Sequence, residues 1–363
     1  MSKRLLITGG AGFIGSNFVH YWHQNQSGPF VVLDTLTYAG NKENLSGLEG
    51  DPRFRFVKGN ICDAQCVADL LAEEEIDTVL HFAAESHVDR SILGPAVFVQ
   101  TNFLGTSVLL EAFRQRWEAK GKPSHYRFLH VSTDEVYGSL SMDDPAFTET
   151  TPYAPSSPYS ATKAGADHMV NAYFRTYGLP TLITNCSNNY GPYQFPEKLI
   201  PLMCINMLLG KPLPIFGDGQ NVRDWLHVHD HCGALVAVLE KGRPGEVYNI
   251  GGQSEMSNVE LVHWLCDLMS EAAGERLPVP PRELIEFVCD RPGHDRRYAM
   301  DITKIQREIG WSPTYDFATG LRQTVDWYLT NRDWWEPLLS EEYAAYYQAL
   351  YGSRTIRKSN GPS

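Results

Sequence analysis

Two adjacent acidic residues precede a tyrosine and lysine pair in this chain. Asp134 and Glu135 directly follow Thr133, and Tyr159 comes 24 residues after Glu135, with Lys163 four positions further on. Tyrosine and lysine suit removal of a hydroxyl proton while a nicotinamide takes the hydride. An additional acid and an additional base suit the expulsion of water from the oxidised product. These residue types therefore predict oxidation, elimination and reduction on a sugar.

The two carboxylates have an alternative interpretation, because acidic side chains that follow a strand often cap or solvate a turn. Adjacent carboxylates repel each other, however, which raises the pKa of one and leaves it protonated near neutral pH. A protonated acid beside an ionised base is the pair that an elimination needs. We therefore interpret Asp134 and Glu135 as catalytic.

The spacing of Tyr159 and Lys163 places both side chains on one face of a helix. A nearby ammonium group is expected to lower the pKa of the tyrosine from about 10. The same spacing recurs at Tyr38 and Lys42, which stand next to a Gly40-Asn41 turn. We interpret the second pair as loop residues and the first as functional.

A glycine-rich turn stands near the start of the chain. Residues 4–8 read as a buried strand, Gly9, Gly12 and Gly15 follow, and residues 16–19 continue with helical periodicity. Glycines at this spacing allow a tight turn and let the backbone approach a pyrophosphate at the helix N-terminus. The pattern predicts a dinucleotide cofactor.

An aspartate follows the second predicted strand. Asp34 lies 19 residues after Gly15, which is about the distance at which an acidic residue contacts the adenosine ribose and repels a 2′-phosphate. The alternative is a solvated turn residue. We predict that the cofactor is NAD and not NADP.

Composition excludes several classes of protein. The 363-residue chain is 43% hydrophobic and has a net charge of −12, which argues against a nucleic-acid partner and requires a local cluster of Arg and Lys for an anionic substrate. Its seven cysteines without a C-x-x-C motif predict reduced thiols in the cytoplasm. No run of 18 apolar residues is present, and the early first strand leaves no room for a signal peptide, so we expect no membrane association.

Strands and helices alternate through about residue 185. The predicted strands are 4–8, 30–33, 53–57, 77–82, 126–132 and 182–185, and the predicted helices include 63–74, 95–119 and 157–177. Such alternation predicts an α/β fold, a Rossmann-type doubly wound parallel sheet with a smaller C-terminal substrate lobe that is discontinuous in sequence. We expect an NAD-binding domain at 1–187 to which some later segments return, a nucleotide-sugar lobe mainly at 188–350, and a polar tail at 351–363.

Several polar residues follow predicted strands and should meet in one cleft. Asp34, residues 83–85 and residues 133–135 all stand at the carboxyl ends of strands, where ligands bind in doubly wound sheets. A competing site is His227-x-His229-x-His231, whose imidazoles are spaced for a metal. No further ligand stands at a suitable spacing, and Asp230 followed by an apolar run resembles a helix start. We therefore predict no metal site.

Longer motifs resemble the extended short-chain dehydrogenase/reductase superfamily and, more closely, the dTDP-glucose 4,6-dehydratases. The resemblance runs from Lys3 to about Trp335. Its motifs are residues 9–15, His81 to Asp89, Thr133 to Glu135, Pro158 to Lys163, Asn188 to Pro192, Pro196 to Pro201, Arg223 to Leu226 and Asp290 to Asp295. The resemblance implies a cytoplasmic homodimer with tightly bound NAD, whose subunits pair two long helices, here Pro95–Ala119 and Ser157–Tyr177.

The resemblance also implies a lyase mechanism on dTDP-glucose. Tyr159, assisted by Lys163 and Thr133, takes the proton of the 4-hydroxyl as hydride passes from C4 to NAD. Glu135 then removes the C5 proton, which the new 4-ketone has acidified, while Asp134 protonates the departing 6-hydroxyl. The hydride returns to C6 and regenerates NAD, giving dTDP-4-keto-6-deoxyglucose.

Binding residues are implied on the same grounds. The NAD site should contain Gly9, Gly12, Phe13, Ile14, Gly15, Asp34, Thr37, Asn60, Ile61, Ala83, Ala84, Ser86, Thr101, Tyr159, Lys163 and Asn189. The nucleotide diphosphate should be surrounded by Glu197, Lys198, Leu199, Arg223, Asn258, Arg291 and His294, and the sugar should contact Ser86, Thr133 and Asn188. Asn60 departs from the aspartate usual in the family, but its amide oxygen still accepts a hydrogen bond.

Two other functions share this fold. A nucleotide-sugar 4-epimerase needs the tyrosine and the cofactor but no acid and base pair, so Asp134 and Glu135 argue against it. A relative that only binds NAD is disfavoured because every expected catalytic group is present. The sequence leaves open how strictly thymidine is selected over uridine. The two bases differ by one methyl group, whose hydrophobic contact contributes only about 1–3 kcal/mol of binding free energy.

Overall fold

The computed structural model describes residues 3–352, so the predicted polar tail at 351–363 lies almost wholly outside the described residues. The strands are β1 (Leu5–Thr8), β2 (Phe30–Asp34), β3 (Phe54–Lys58), β4 (Thr78–His81), β5 (Arg127–Thr133), β6 (Thr181–Cys186), β7 (Asn188–Tyr190), β8 (Leu213–Phe216), β9 (Val222–His227), β10 (Val247–Ile250), β11 (Glu255–Ser257) and β12 (Ile285–Val288). The positions of β1 to β6 agree with the six predicted strands to within one or two residues, and β7 to β12 were not predicted.

The helices alternate with these strands in the first half of the chain. They are α1 (Phe13–Asn25), α2 (Ala64–Glu73), α3 (Val88–Leu93), α4 (Pro95–Phe98), α5 (Thr106–Ala119), α6 (Pro158–Tyr177), α7 (Leu199–Leu209), α8 (Val228–Lys241), α9 (Asn258–Ala273), α10 (Thr303–Ile309), α11 (Phe317–Thr330), α12 (Arg332–Trp335) and α13 (Glu341–Tyr351). Capping residues set several starts: the Asp63 side chain accepts from the first turn of α2, and Ser157 forms a capping box with Ser160 at α6.

The central sheet has seven parallel strands in the order β10-β6-β5-β4-β1-β2-β3. Its two faces are covered by different helices because side chains alternate along each strand. Leu5 and Ile7 pack in one apolar cluster with α1 and α8, whereas Leu6 packs in another with α2, α5 and α6. The predicted α/β class with a doubly wound parallel sheet is confirmed.

The later half of the chain builds a second apolar core and also returns to the first. Helices α7, α9 and α11 pack with β8 around residues such as Met203, Leu265 and Leu321. Strand β10 nevertheless pairs with β6, and α8 packs against α1. The division of the chain at residue 187 remains a prediction, but both cores draw on residues beyond it.

One helical stretch of the described chain, Pro95–Ala119, is long and apolar enough to cross a bilayer by length and composition. Its most apolar window has a mean hydropathy of 1.3, and 44% of that window is buried inside the protein. The stretch comprises α4, a π-helical segment at Val99–Gly105 and α5, and it packs against α2 and α6. A Cβ atom on Gly105 would lie 2.6 Å from Cδ1 of Ile61, so the glycine allows this close approach.

Candidate active site

The carboxyl ends of six neighbouring strands, β1 to β6, surround one cleft of about 510 Å³. Its walls contain the predicted catalytic residues Thr133, Asp134, Glu135, Tyr159 and Lys163. The predicted cofactor residues also line it, namely Gly9, Gly12, Phe13, Ile14, Gly15, Asp34, Thr37, Asn60, Ile61, Ala83, Ala84, Ser86, Thr101 and Asn189. The tertiary structure therefore brings together residues that are up to 180 positions apart in the sequence.

The glycine turn between β1 and α1 has no room for side chains. Gly9 adopts a φ of +72°, and a Cβ atom there would lie 2.6 Å from the backbone nitrogen of Ala83. A Cβ atom on Gly15 would clash with the Gly9 carbonyl. No side chain caps α1, whose N-cap is Gly12, so the N-terminus of the helix faces the cleft with its backbone N–H groups, as pyrophosphate binding requires.

Asp34 closes the adenosine end of the cleft. Its Oδ2 accepts a hydrogen bond from the Ala11 nitrogen at 2.9 Å and its Oδ1 accepts one from the Leu36 nitrogen at 2.8 Å. These bonds fix the carboxylate, while burial raises its pKa. The rigid glycine turn and this oriented carboxylate together fit NAD.

Two amide side chains in the wall of the predicted cofactor site, those of Asn60 and Asn189, already have protein partners. Oδ1 of Asn60 accepts from the Cys62 nitrogen at 2.8 Å, so this oxygen is partly committed to its own turn. Asn189 donates to the Ser187 carbonyl at 3.0 Å, and its Oδ1 lies 2.9 Å from Nδ1 of His231. These bonds hold the two side chains in the wall of the cleft.

The acidic pair lies where β5 ends and a short 3₁₀ helix, Asp134–Tyr137, begins. Oγ1 of Thr133 accepts from the Glu135 nitrogen at 3.3 Å and donates to Oδ1 of Asp134 at 3.2 Å. Oδ2 of Asp134 is buried and has no hydrogen-bond partner in the described protein. This oxygen is the one available to a bound substrate.

The two carboxyl groups have different electrostatic surroundings. Burial, and then the charge of Glu135, raise the pKa of Asp134 well above its ordinary value. Burial also raises the pKa of Glu135, but the positive charges of Arg291, Lys198 and Arg223 oppose this effect. Asp134 therefore has the stronger tendency to keep its proton, and Glu135 is the group that ionises more readily.

Tyr159 is the second residue of α6, and its ring packs edge-on to Phe98. Its pKa is raised well above 10, chiefly by burial and then by the charge of Glu135, while a hydrogen bond with Thr133 opposes the rise. This differs from the expectation that the Lys163 ammonium would lower the pKa. The reason is that burial, which disfavours the charged phenolate, is the largest influence on this pKa. Nζ of Lys163 donates to the Val131 carbonyl at 2.8 Å.

Lys163 is nearly completely buried in the cleft wall. Burial lowers its pKa to about 8, and Asp167 opposes this effect. Its Nζ also lies 3.3 Å from Nε2 of His130 on β5. The ammonium thus belongs to a buried polar cluster behind the cleft as well as to the cleft itself.

Five of the predicted substrate residues, Ser86, Thr133, Asn188, Glu197 and Lys198, line the cleft. Nζ of Lys198 donates to the Ser86 carbonyl at 3.1 Å, and Oδ1 of Asn188 is buried without a protein partner. The ammonium of Lys198 and the neutral polar groups in this wall of the cleft suit a sugar phosphate.

Three further predicted substrate residues lie behind the walls of the cleft. Arg223 stacks on the Tyr298 ring at 4.2 Å and donates to the Asp295 carbonyl at 2.9 Å. Nη1 of Arg291 lies 3.3 Å from Oδ2 of Asp89. Nδ1 of His294 lies 2.6 Å from Oδ1 of Asp290, and burial together with both arginines lowers the pKa of His294 to about 4.

The structure does not place Leu199 and Asn258 in the cleft. Leu199 begins α7 and packs against the second apolar core. Asn258 begins α9, and its nitrogen donates to the Asn221 carbonyl at 3.0 Å. Their direct contact with a substrate remains a prediction.

Sequence reasoning missed a cluster around Glu197. Oε1 of Glu197 accepts from the Tyr38 hydroxyl at 2.8 Å and Oε2 accepts from Nε of Arg90 at 3.0 Å. The Arg90 guanidinium lies 3.7 Å from the centre of the Tyr38 ring and 4.0 Å from that of Tyr346 on α13. Tyr38 is a loop residue, as predicted, but the repeated Tyr-x-x-x-Lys spacing gave no sign that its hydroxyl reaches Glu197.

Two of the three histidines at 227, 229 and 231 share Tyr315 as a partner, and the third does not. The ring of His227 stacks on Tyr315 with centroids 3.7 Å apart, and Nδ1 of His229 lies 3.2 Å from the hydroxyl of the same tyrosine. His231 contacts Asn189 instead. Among the described residues, no group of three or more His, Cys, Asp or Glu side chains is arranged to hold a metal ion. Helix α8 begins at Val228 with His227 as its cap, two residues before the predicted start.

Comparison with known proteins gives consistent matches. The family described as GDP-mannose 4,6 dehydratase matches residues 6–324. The dTDP-glucose 4,6-dehydratase of Xanthomonas campestris pv. campestris strain B100 is 56% identical over 341 residues, which cover 93% of this chain and 96% of the relative. The dTDP-glucose 4,6-dehydratase 1 of Escherichia coli strain K12 is 52% identical over 361 residues, with coverages of 97% and 99%.

A solved structure is similar over nearly the same range. It is the crystal structure of DesIV, a dTDP-glucose 4,6-dehydratase from Streptomyces venezuelae, with NAD and TYD bound. The TM-score is 0.84 at 50% sequence identity, and the alignment covers 92% of this chain and 99% of the other.

Proposed function

The chain belongs to the dTDP-glucose 4,6-dehydratase family, and on this premise we propose that its cleft converts dTDP-glucose to dTDP-4-keto-6-deoxyglucose. The enzyme is an NAD-dependent hydro-lyase. The observation that supports this chemistry most strongly is the pair of adjacent carboxyl groups with unequal proton affinity beside Tyr159. An elimination needs one protonated and one ionised group at the same place and time.

Oxidation at C4 is the task of Tyr159, Thr133 and Lys163. Tyr159 removes the proton of the 4-hydroxyl, and the hydroxyl of Thr133 steadies the tyrosine oxygen by hydrogen bonding. Lys163 contributes positive charge from the same helix face. The glycine turn and Asp34 would hold NAD in the cleft, and NAD, when bound, would supply the acceptor for the C4 hydride and the means of its return to C6.

Elimination is the task of the acidic pair. The 4-ketone acidifies C5, so that Glu135, whose ionised form is favoured by the charges of Arg291, Lys198 and Arg223, removes the C5 proton. Asp134, whose protonated form is favoured by burial, gives its proton to the 6-hydroxyl, which leaves as water. Glu135 then returns a proton to C5 as hydride reaches C6. The sum of these steps is loss of one water with no net oxidation.

The cationic side of the cleft suits the nucleotide diphosphate. Lys198 lines the cleft, and Arg223 and Arg291 act on the charge of Glu135 from close behind it. On a chain with a net charge of −12, such a local concentration of buried cations is needed to hold an anionic substrate.

Isotope transfer tests the proposed reaction. Purified protein is incubated with dTDP-glucose that carries deuterium at C4, and the product is analysed by mass spectrometry and NMR. We expect a 4-keto-6-deoxy sugar with deuterium in its new methyl group and a solvent hydrogen at C5. Deuterium at C4 of an inverted sugar would instead indicate an epimerase, and deuterium in released reduced cofactor would indicate an ordinary dehydrogenase.

A cytoplasmic homodimer is the assembly that we propose for this enzyme. Two apolar side chains of the stretch Pro95–Ala119 that do not line the cleft are about half exposed, Val99 and Leu104. This stretch packs alongside α6, so the two helices could present a joint apolar surface to a second copy. Burial of such a surface is the usual driving force for obligate dimers.

A further inference from the structure

A buried carboxylate follows Lys163 by one helical turn. Tyr159, Lys163 and Asp167 are spaced at intervals of four along α6, so their side chains follow one another on one face of the helix. Asp167 is completely buried and is not part of the cleft wall. An ionised carboxylate at such a position is costly unless a positive charge and hydrogen bonds compensate for the lost hydration.

The contacts of Asp167 lead directly to Lys163. Its Oδ2 accepts from Oγ of Ser132 at 2.8 Å and from the Tyr153 hydroxyl at 2.9 Å. Its Oδ1 lies 3.3 Å from Nε2 of His130, and the same imidazole nitrogen lies 3.3 Å from Nζ of Lys163. The imidazole thus stands between the carboxylate and the ammonium.

The ring of His130 contacts both Lys163 and Asp167 but is itself uncharged. Burial and the neighbouring Lys163 lower the pKa of His130 well below its ordinary value. The neutral ring either accepts from the ammonium through Nε2 or donates to the carboxylate through the same atom. Each tautomer can bond only one of the two groups at a time, and Nε2 lies 3.3 Å from both Nζ of Lys163 and Oδ1 of Asp167.

Other ionisable groups that face Lys163 carry no compensating charge at neutral pH. Burial raises the pKa of the Cys186 thiol on β6 to about 12 and that of Tyr159 well above 10. Burial also lowers the pKa of His81 on β4 well below its ordinary value. Asp167 itself is faced by Lys163, by Tyr153 and by the adjacent His168.

We propose that Asp167 is a positioning residue for the oxidation step, which together with His130 keeps Lys163 as an ammonium beside Tyr159. This inference rests on the proposed dehydratase function. Its physical basis is that burial favours the neutral amine, whereas an opposite charge within about 4–6 Å favours the charged form and shifts a pKa by about 1–3 units. The ammonium, in turn, is what makes proton removal by Tyr159 feasible in a buried site.

Asp167→Asn tests this role because it removes the charge and keeps the shape of the side chain. The pKa of Lys163 is already lowered to about 8 and should fall by about one further unit or more. At a pH near 8, the charged fraction of Lys163 then falls from about one half to about one tenth, and the rate of C4 oxidation in a single turnover should fall about fivefold or more. Acidification restores the ammonium, so the alkaline limb of the pH profile should move to lower pH. An NMR titration of the Lys163 side chain measures the change in its pKa directly and does not depend on catalysis.

Tyr137→Phe is the matched control. It removes a buried hydroxyl that bonds Asn249 at 2.8 Å and Asn185 at 2.7 Å, close to the same cluster but without contact to Asp167. This variant should keep the wild-type pH profile. A purely structural role for Asp167 predicts a uniform loss of rate with no movement of the limb, and that result would overturn the proposal.

If Asp167→Asn does not fold, a double variant tests the same role of Asp167. Ser132→Ala combined with Tyr153→Phe strips both hydrogen bonds from Oδ2, which raises the pKa of Asp167 from about 6 and neutralises the carboxyl near pH 7. The oxidation rate at neutral pH should then fall several-fold, and an unchanged rate would contradict the proposal. Product formation by the wild-type enzyme tests the proposed function. The comparison of the variants with the wild type tests the role of Asp167.

Discussion

At the scale of single residues, the local environment decides what each carboxyl group can do. Asp134 is buried beside a second acid and has one oxygen without a protein partner. Glu135 is the next residue in the chain, yet three cations act on it. Asp34 is fixed by two backbone N–H groups at the other end of the cleft. One type of functional group is thus proposed to supply an acid, a base and a cofactor contact.

Replacement of the acidic pair should separate the half-reactions. Glu135→Gln and Asp134→Asn keep the size of the side chains but remove the base and the acid. C4 oxidation should persist while elimination slows by about 10²–10⁴-fold, the usual contribution of a general acid or base. Single-turnover absorbance should therefore show reduced cofactor that accumulates, and Tyr159→Phe should suppress that signal. Wild-type turnover in Glu135→Gln would exclude this glutamate as the base.

At the scale of elements, helix α13, the last helix of the described chain, contacts residues from the first and the second half of the sequence. The Tyr346 hydroxyl on α13 lies 3.2 Å from Nδ1 of His87, while its ring covers Arg90. The Tyr343 hydroxyl on the same helix donates to the Pro196 carbonyl at 3.1 Å. Helix α13 therefore supports the segment that presents Glu197 and Lys198 to the cleft.

Loss of this support should weaken substrate binding. Tyr346→Ala removes the ring that stacks on Arg90, and a cation–π contact is worth about 0.5–2 kcal/mol. The KM for dTDP-glucose should therefore rise about two- to thirty-fold, with a smaller effect on kcat. Tyr346→Phe keeps the ring and loses only the hydroxyl, so its KM should stay close to that of the wild type. Equal KM values for Tyr346→Ala and the wild type would show that α13 does not support the site.

At the scale of the whole molecule, the sheet and the second core meet at one cleft, and an apolar helix surface lies outside it. The cleft is formed by the ends of β1 to β6 together with residues 187–198. The exposed apolar residues of Pro95–Ala119 belong to a helix whose other side packs into the fold. The same helix thus borders the cofactor site through Thr101 and presents Leu104 to the outside.

A charge on this surface should disrupt the proposed dimer. Leu104 is 50% exposed, and Leu104→Glu would place a carboxylate in a buried subunit interface. Sedimentation analysis should show a dimer for the wild type and mainly monomer for this variant. Met142→Glu is the matched control, because Met142 is 54% exposed but lies in a loop away from these helices. A Leu104→Glu variant that remains dimeric would exclude this helix as the interface.

Much of the fold and of the catalytic set could be predicted because both depend on local patterns. The glycine turn, the acidic pair after β5 and the start of α6 each follow from residue types over a few positions, and alternating strands and helices allow few topologies. Local patterns cannot reveal contacts between distant segments. The Glu197 cluster joins residues 38, 90, 197 and 346, and the buried neighbours of Lys163 come from β5 as well as α6.

The sequence alone determined the class of fold, and it predicted a cofactor loop and a set of catalytic residues that line one cleft, because these patterns depend on short-range spacing and residue type. The tertiary structure decided the proton affinities. Burial raises the pKa of Tyr159 where an adjacent lysine was expected to lower it, and distant cations distinguish Glu135 from Asp134. A pKa depends on hydration and on every charge nearby in space, and only the folded chain fixes those distances.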